Sequence, residues 1–191
     1  MAILPIVTYN DPILRQKATP VEGLSREIEE SIESMFETMY NSSGVGLAAP
    51  QIGKSLQIFV IDADAMTEDK EDEVDFGPIV FINPEIIEMS GEEVVMEEGC
   101  LSIPDVRDEI KRKSEVVIRF RDKDFQERTE TFNGWVSRVI QHEYDHLNGV
   151  LFLDYLSAFR RRFHRFTLKK IDSGRQKTEY PLAPKKSVQT G

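Results

Sequence analysis

Residues Gln141 to Gly149 read QHEYDHLNG. Helical character begins upstream at Trp135, and Asn148-Gly149 is a suitable C-terminal stop. Positions four apart on a helix share one face, so His142 and His146 can reach a single metal ion. Glu143, beside the first of them, can reach a water on that ion without binding the ion itself. Trp135, Val139, His142 and His146 fall along the same face. The chain holds three histidines, and two of them are here. The plain alternative is an exposed helix with coincidental histidines. The third, His164, lies among arginines without a motif and reads as a surface residue.

Outward from this helix, the pattern is α+β. Ser25 is a good N-cap, and Glu27, Glu29 and Glu30 suit the positive end of a helix dipole. Ile28, Ile32, Met35, Phe36 and Met39 recur at helical spacing, and Asn41-Ser42-Ser43-Gly44 ends the helix. Leu56–Ile61 and Ile79–Ile82 read as buried strands, with Val94–Met96 as a further short one. Val116, Ile118 and Phe120 alternate with polar neighbours. A polar turn at Arg121–Asp124 and the return through Phe132 complete a hairpin. Leu156 to Ile171 reads as a C-terminal helix, with apolar Leu156, Phe159, Phe163, Phe166 and Leu168. Strands clustered between helices predict an α+β domain.

A metal site of this type needs a third protein ligand. Downstream, Asp154 is a weak candidate. Upstream, Cys100 is the better one. It is the only thiol in the chain and sits in EGCLSIP, Glu98 to Pro104, where Gly99 allows close backbone approach and Pro104 ends the segment. A thiolate and two imidazoles would leave a fourth position open. A lone cysteine also reads as a small buried hydrophobe. A third segment, GVGLAAPQIG at Gly44–Gly53, suits a loop laid against a ligand or a tight helix-to-strand turn. It lacks the G-x-x-x-x-G-K pattern of a phosphate loop.

Together these segments resemble peptide deformylases: G-x-G-L-A-A-x-Q, then E-G-C-L-S, then Q-H-E-x-D-H, in that order. The similarity includes Asp11-Pro12-Ile13-Leu14-Arg15 and runs from about Pro5 to Leu156, with EGCLSIP in the bacterial form. The resemblance implies mostly antiparallel strands packed around a central helix carrying H-E-x-x-H, with an N-terminal and a C-terminal helix. It implies a hydrolase that removes the formyl group from N-terminal formylmethionine of new polypeptides and releases formate. Cys100, His142 and His146 would hold one divalent ion, Fe2+ natively, with Zn2+, Ni2+ or Co2+ as substitutes. Glu143 would move a proton from the bound water to the leaving amine. Gln51 and the Leu101 N–H would stabilise the oxyanion. The backbone of Val45, Gly46 and Leu47, with Gly99, would pair with substrate as an added strand. Val45, Glu98, Trp135, Arg138, Val139 and His142 match positions near the methionine pocket.

Composition narrows the alternatives. At 191 residues the chain fits one domain, read as a catalytic unit over 1–172 with a polar tail over 173–191, frayed from Arg175. The net charge of −10 argues against a protein that grips nucleic acid by sequence. No apolar run approaches the roughly 20 residues that span a bilayer. A single cysteine and no signal-like N-terminus fit the cytoplasm. Eight acidic residues crowd into 62–75, read as an exposed loop. Ten Lys or Arg lie between Arg160 and Lys186, which suits either plain solvation or contact with the negative ribosome surface. The rival functions are an H-E-x-x-H metallopeptidase and a non-catalytic, metal-stabilised ribosome-binding module. Formate release from formyl-Met peptides, against cleavage of internal bonds or no turnover, separates the three.

Overall fold

The computed structural model describes residues 2–62 and 77–184, so the acidic stretch falls almost wholly outside the described residues. The fold is α+β. A helix, α1 (Arg26–Asn41), precedes β1 (Gly46–Ala48), β2 (Ile58–Ile61), β3 (Ile79–Cys100), β4 (Ile103–Arg121) and β5 (Glu127–Asn133). The central helix α2 (Gly134–Leu147) and two short helices, α3 (Ala158–Phe163) and α4 (Arg165–Asp172), follow. The strands form one antiparallel sheet in chain order.

The sheet is buried from both sides where it begins. Side chains alternate faces along a strand, so β2 sends Phe59 and Ile61 one way and Ile58 and Val60 the other. Phe59 and Ile61 pack with Phe81, Val116, Ile118 and Phe132 against Val136, Val139 and Ile140 of α2. Phe81 anchors that layer, with ring centroids 4.5 Å from Phe59 and 4.3 Å from Phe120. Ile58 and Val60 pack against Ile32, Met35 and Met39 of α1. Burying each large side chain of this kind stabilises the fold by about 1.5–3 kcal/mol. Helix α1 starts where expected, with the Ser25 hydroxyl accepting the Ile28 N–H at 3.3 Å.

Strands β3 and β4 make one long hairpin whose turn is Leu101-Ser102. This corrects two expectations. Ile79–Ile82 and Val94–Met96 belong to a single strand, and Pro104 lies inside β4 instead of ending a segment. Register shifts at four places let a strand of 22 residues bend with the sheet. Pro104 sits in the irregular stretch between the Cys100–Ile103 and Gly99–Arg107 pairs, where a missing N–H costs no ladder bond.

The C-terminal region differs most from expectation. The single helix over 156–171 is two helices, broken at His164. His164 is not a free surface histidine, because its Nε2 meets Asp108 Oδ2 at 2.8 Å. Arg160 also bonds Asp108. Phe159, Phe163 and Phe166 stay exposed. The tail is not frayed over its described part. Ile6 and Leu182 form a parallel bridge, with Ile6 N–H donating to Pro181 O and Ala183 N–H to Ile6 O. Tyr180 and Leu182 pack on the α1 core.

Candidate metal centre

Helix α2 carries the centre. Most of its length is buried, including polar Arg138, Gln141, Glu143 and His146. It stops as the sequence suggests. Asn148 is the C-cap and Gly149 takes φ 73°. A Cβ on Gly149 would lie 2.8 Å from the Arg15 backbone, so the residue allows a close approach as well as a turn.

The hairpin turn brings Cys100 to this helix. One ligand atom each from Cys100, His142 and His146 lies within 4.8 Å of the others. Cys100 Sγ is 3.3 Å from His146 Nε2. His142 Nδ1 meets Glu98 Oε2 at 2.9 Å, which leaves Nε2 for the cluster. Burial holds the His146 pKa well below its ordinary value, so the imidazole is neutral, as a ligand must be. Burial opposes charge on His142 too, yet Cys100 and Glu98 together raise its pKa. A proton and a cation at Nε2 would use the same lone pair, and only one can occupy it. Two imidazoles and a thiolate are a donor set suited to zinc or ferrous iron. The residues fit a divalent ion. Asp154 plays no part in the cluster. It caps the Leu151 N–H and pairs with Arg15.

Glu143 is 4% exposed, and its Oε2 has no partner among the described residues. Burial pushes its carboxyl up to about 7. Gly46 makes room for it, since a Cβ there would lie 2.5 Å from Glu143 Oε1. Gln51 is buried and oriented. Its Oε1 accepts the Ala48 N–H at 2.8 Å, which turns Nε2 toward Cys100 Sγ at 3.5 Å and Ser102 Oγ at 3.3 Å.

Cys100, His142, Glu143 and Gln51 line a cavity of about 710 Å³, together with Val45, Gly46, Glu98, Gly99, Leu101, Trp135, Arg138 and Val139, while His146 is buried and is not among its lining residues. Leu47 is not among its lining residues, because its side chain is fully buried against the α1 core. The three early residues also differ in their backbone. Val45 O accepts the Asp62 N–H, and antiparallel bonding alternates along a strand. Val45 and Leu47 therefore face β2, and Gly46 turns its N–H and carbonyl to the open edge.

Glu98 and Arg138 line the cavity, but their charged ends are turned on each other. Arg138 Nη1 donates to Glu98 Oε1 at 2.6 Å, and its Nη2 to Val94 O. Arg112 donates to both Glu98 oxygens and to Asp145. Burial alone would raise the Glu98 pKa. The bonds from His142 and Arg112 outweigh it and hold the carboxyl at about 2. Glu98 thus orients His142, as a carboxylate commonly does behind a ligating imidazole. Arg112, Asp145, Ser102 and Tyr180 were not anticipated. Only the alternation of β4, which puts Arg112 on the face of buried Ile110, carried any signal.

Known proteins give this geometry its family. The family model described as polypeptide deformylase matches residues 3–162. The peptide deformylase of Chlorobaculum parvum is 46% identical over 182 residues, covering 95% of each chain. That of Salinibacter ruber is 45% identical over 186 residues, covering 96% of this chain and 95% of its own. The peptide deformylase of Ehrlichia chaffeensis in complex with actinonin has a TM-score of 0.82 at 37% identity, covering 93% of this chain and 100% of that one. The Acinetobacter baumannii enzyme with Met-Ala-Ser bound has a TM-score of 0.75 at 33% identity, covering 81% and 99%. On a match that spans most of the sequence, and a fold shared along with it, the chain belongs to the polypeptide deformylase family.

Proposed function

We infer that this chain is a peptide deformylase, a hydrolase that removes the formyl group from N-terminal formylmethionine of new polypeptides and releases formate. Membership of the family separates it from an H-E-x-x-H metallopeptidase and from a metal-stabilised binding module. The observation that carries the residue roles is the Cys100, His142, His146 cluster, two of whose members line one cavity with Glu143 and Gln51.

Cys100, His142 and His146 would hold a divalent ion, which when bound supplies a water acidified toward about 7 and a positive centre for the formyl oxygen. Glu143 takes the proton of the attacking water and returns it to the leaving amine. A carboxyl held near 7 suits both tasks. Gln51 Nε2 and the Leu101 N–H donate to the oxyanion. Gly46 and Gly99 present backbone to the substrate chain as an added strand. The methionine side chain enters the apolar part of the cavity at Val45, Trp135 and Val139, with the stem of Arg138. The formyl carbon bears only hydrogen on one side, so a crowded site takes it and rejects acetyl.

Ferrous iron is the resident ion in this reading, with zinc, nickel or cobalt as substitutes. The thiolate faces an open cavity, so oxygen reaches it and iron alike. The test is formate production from formyl-Met-Ala-Ser with metal content measured on the same sample. Anaerobic iron enzyme should outpace zinc enzyme and decay in air, while nickel or cobalt enzyme stays active. Equal rates for iron and zinc forms would overturn the choice of iron.

The basic helices α3 and α4 suggest work in the cytoplasm at the ribosome. Ile171 and Leu182 are packed into the fold, so deletion from Arg160 would damage it. Reversing the exposed charges of Arg162, Arg165 and Lys169 should abolish salt-sensitive co-sedimentation with ribosomes. Unchanged binding would leave these helices as solvated surface.

A further inference from the structure

The segment after α4 lies outside the stretch that the family model matches, yet Lys177, Thr178, Glu179 and Tyr180 line the cavity. It is tied down at both ends. Gln176 Nε2 donates to Asp105 Oδ2, and the Ile6–Leu182 bridge holds the far side. Between them, Thr178 Oγ1 donates to Tyr180 O, and Tyr180 Oη donates to Leu101 O at 2.8 Å. Leu101 is thereby enclosed. Its side chain packs on the same core as Tyr180, and a Cβ on Gly44 would touch its Cδ1 at 3.0 Å.

The carbonyl that Tyr180 holds is not on the same peptide plane as the Leu101 N–H. The two planes meet at the Leu101 Cα, and their relative angle is set by two dihedrals. The plane after Leu101 is gripped from two sides. Tyr180 holds the carbonyl, and Ser102, next in line, is fixed by the Tyr9 N–H on its own carbonyl and Gln51 on its hydroxyl. The plane before Leu101 leads from Cys100, which is paired with Ile103 and belongs to the metal cluster. Without the tyrosine hydroxyl, a two-residue turn keeps one loose carbonyl at the point where the N–H must be aimed.

We propose that Tyr180 is a positioning residue for the oxyanion site: its hydroxyl locks the Leu101 turn and so aims the Leu101 N–H. The proposal rests on the reading of that N–H, with Gln51, as oxyanion donors. Fixed donors gain their value from alignment with the developing charge, so a looser turn slows the chemical step and leaves binding intact.

The experiment compares Tyr180→Phe and Gln51→Leu, each as metal-loaded enzyme, by kcat and KM for formyl-Met-Ala-Ser, thermal midpoint and metal content. Removing one hydrogen bond should lower kcat about 3- to 10-fold, with KM, metal content and midpoint close to native. A purely structural tyrosine would lower the midpoint and leave kcat per metal ion unchanged, and that result overturns the proposal. A rise in KM alone overturns it too, since the segment would then be a wall for the substrate chain. Gln51→Leu tells the two levels apart. If it is slow while Tyr180→Phe keeps native kcat, only the role of Tyr180 falls. If Gln51→Leu itself keeps native kcat, the oxyanion reading falls and the proposal with it. Should Tyr180→Phe fold poorly, Tyr180→His, which keeps a ring and a donor, should restore kcat toward native, and its failure to do so counts against the proposal.

Discussion

At the scale of single residues, the proposed chemistry rests on a buried carboxylate beside a glycine. Among the described residues one Glu143 oxygen has no partner, and burial lifts the carboxyl's pKa to about 7. Glu143→Gln should keep the metal and lose turnover by about 100- to 10,000-fold, because it removes a base and not a ligand. Rate and metal content from one preparation decide this, and loss of the ion would make Glu143 a ligand after all. Gly46→Ala tests the same carboxylate by pressure. A methyl 2.5 Å from Oε1 must displace it, so kcat should fall at least about 10-fold while the metal stays, measured in the same way. The pairing of His142 with His146 was legible because an i, i+4 spacing on a helix is a geometric statement. The resemblance puts Glu98 and Arg138 near a methionine pocket, and both line the cavity. Their bonding to each other was hidden, because sequence spacing does not say which way a long side chain turns.

At the scale of elements, the β3–β4 hairpin delivers Cys100 to α2, and a buried ionic link holds them together. Arg112 of β4 joins Glu98 of β3 to Asp145 of α2. Breaking such a pair leaves an uncompensated charge and costs about 3–5 kcal/mol. Arg112→Met should therefore lower stability by that order in urea titration, and metal affinity about 10- to 100-fold by competition with a chelator. The sign of the pH dependence follows from Glu98. Its folded pKa, about 2, lies below its ordinary value, so its contribution is full above about pH 4.5 and is lost as pH falls toward 2. In metal-free protein, Glu98→Gln should lack the part of acid destabilisation that falls in that window, as read from thermal midpoints against pH. Both main helices were legible through their caps and apolar stripes. The long hairpin was not, since bulges and a mostly exposed outer half erase the two-residue alternation by which a strand is recognised. Arg112 was lost because it sits in a run of charges, although it lies on the buried face of β4.

At the scale of the whole molecule, the metal donors come from two segments distant in sequence, the end of β3 and α2, so the ion and the fold should stabilise each other. Ligand that binds only the folded state raises stability with its occupancy. Removing the metal with a chelator should lower the thermal midpoint by several degrees, and adding zinc or nickel should restore it. A midpoint indifferent to metal would mean that the ligands are held rigidly without it. The C-terminal segment shows why this scale is hardest to read from sequence. Arg175 onward is polar and carries proline, which locally reads as loose chain. Over its described part, its order comes from Asp105, Leu101 and Ile6, all distant in sequence.

That pairing of Ile6 with Leu182 has a consequence for timing. Synthesis is vectorial, and residues 177–180 are made after every other part of the cavity. All three metal donors and Glu143 precede this segment in the chain, so they are made before this side of the site. An enzyme whose substrates are growing chains is thus itself incomplete while it is growing. A message cut short just after α4 would yield a protein with the metal donors and the base, but with one wall of its cavity missing.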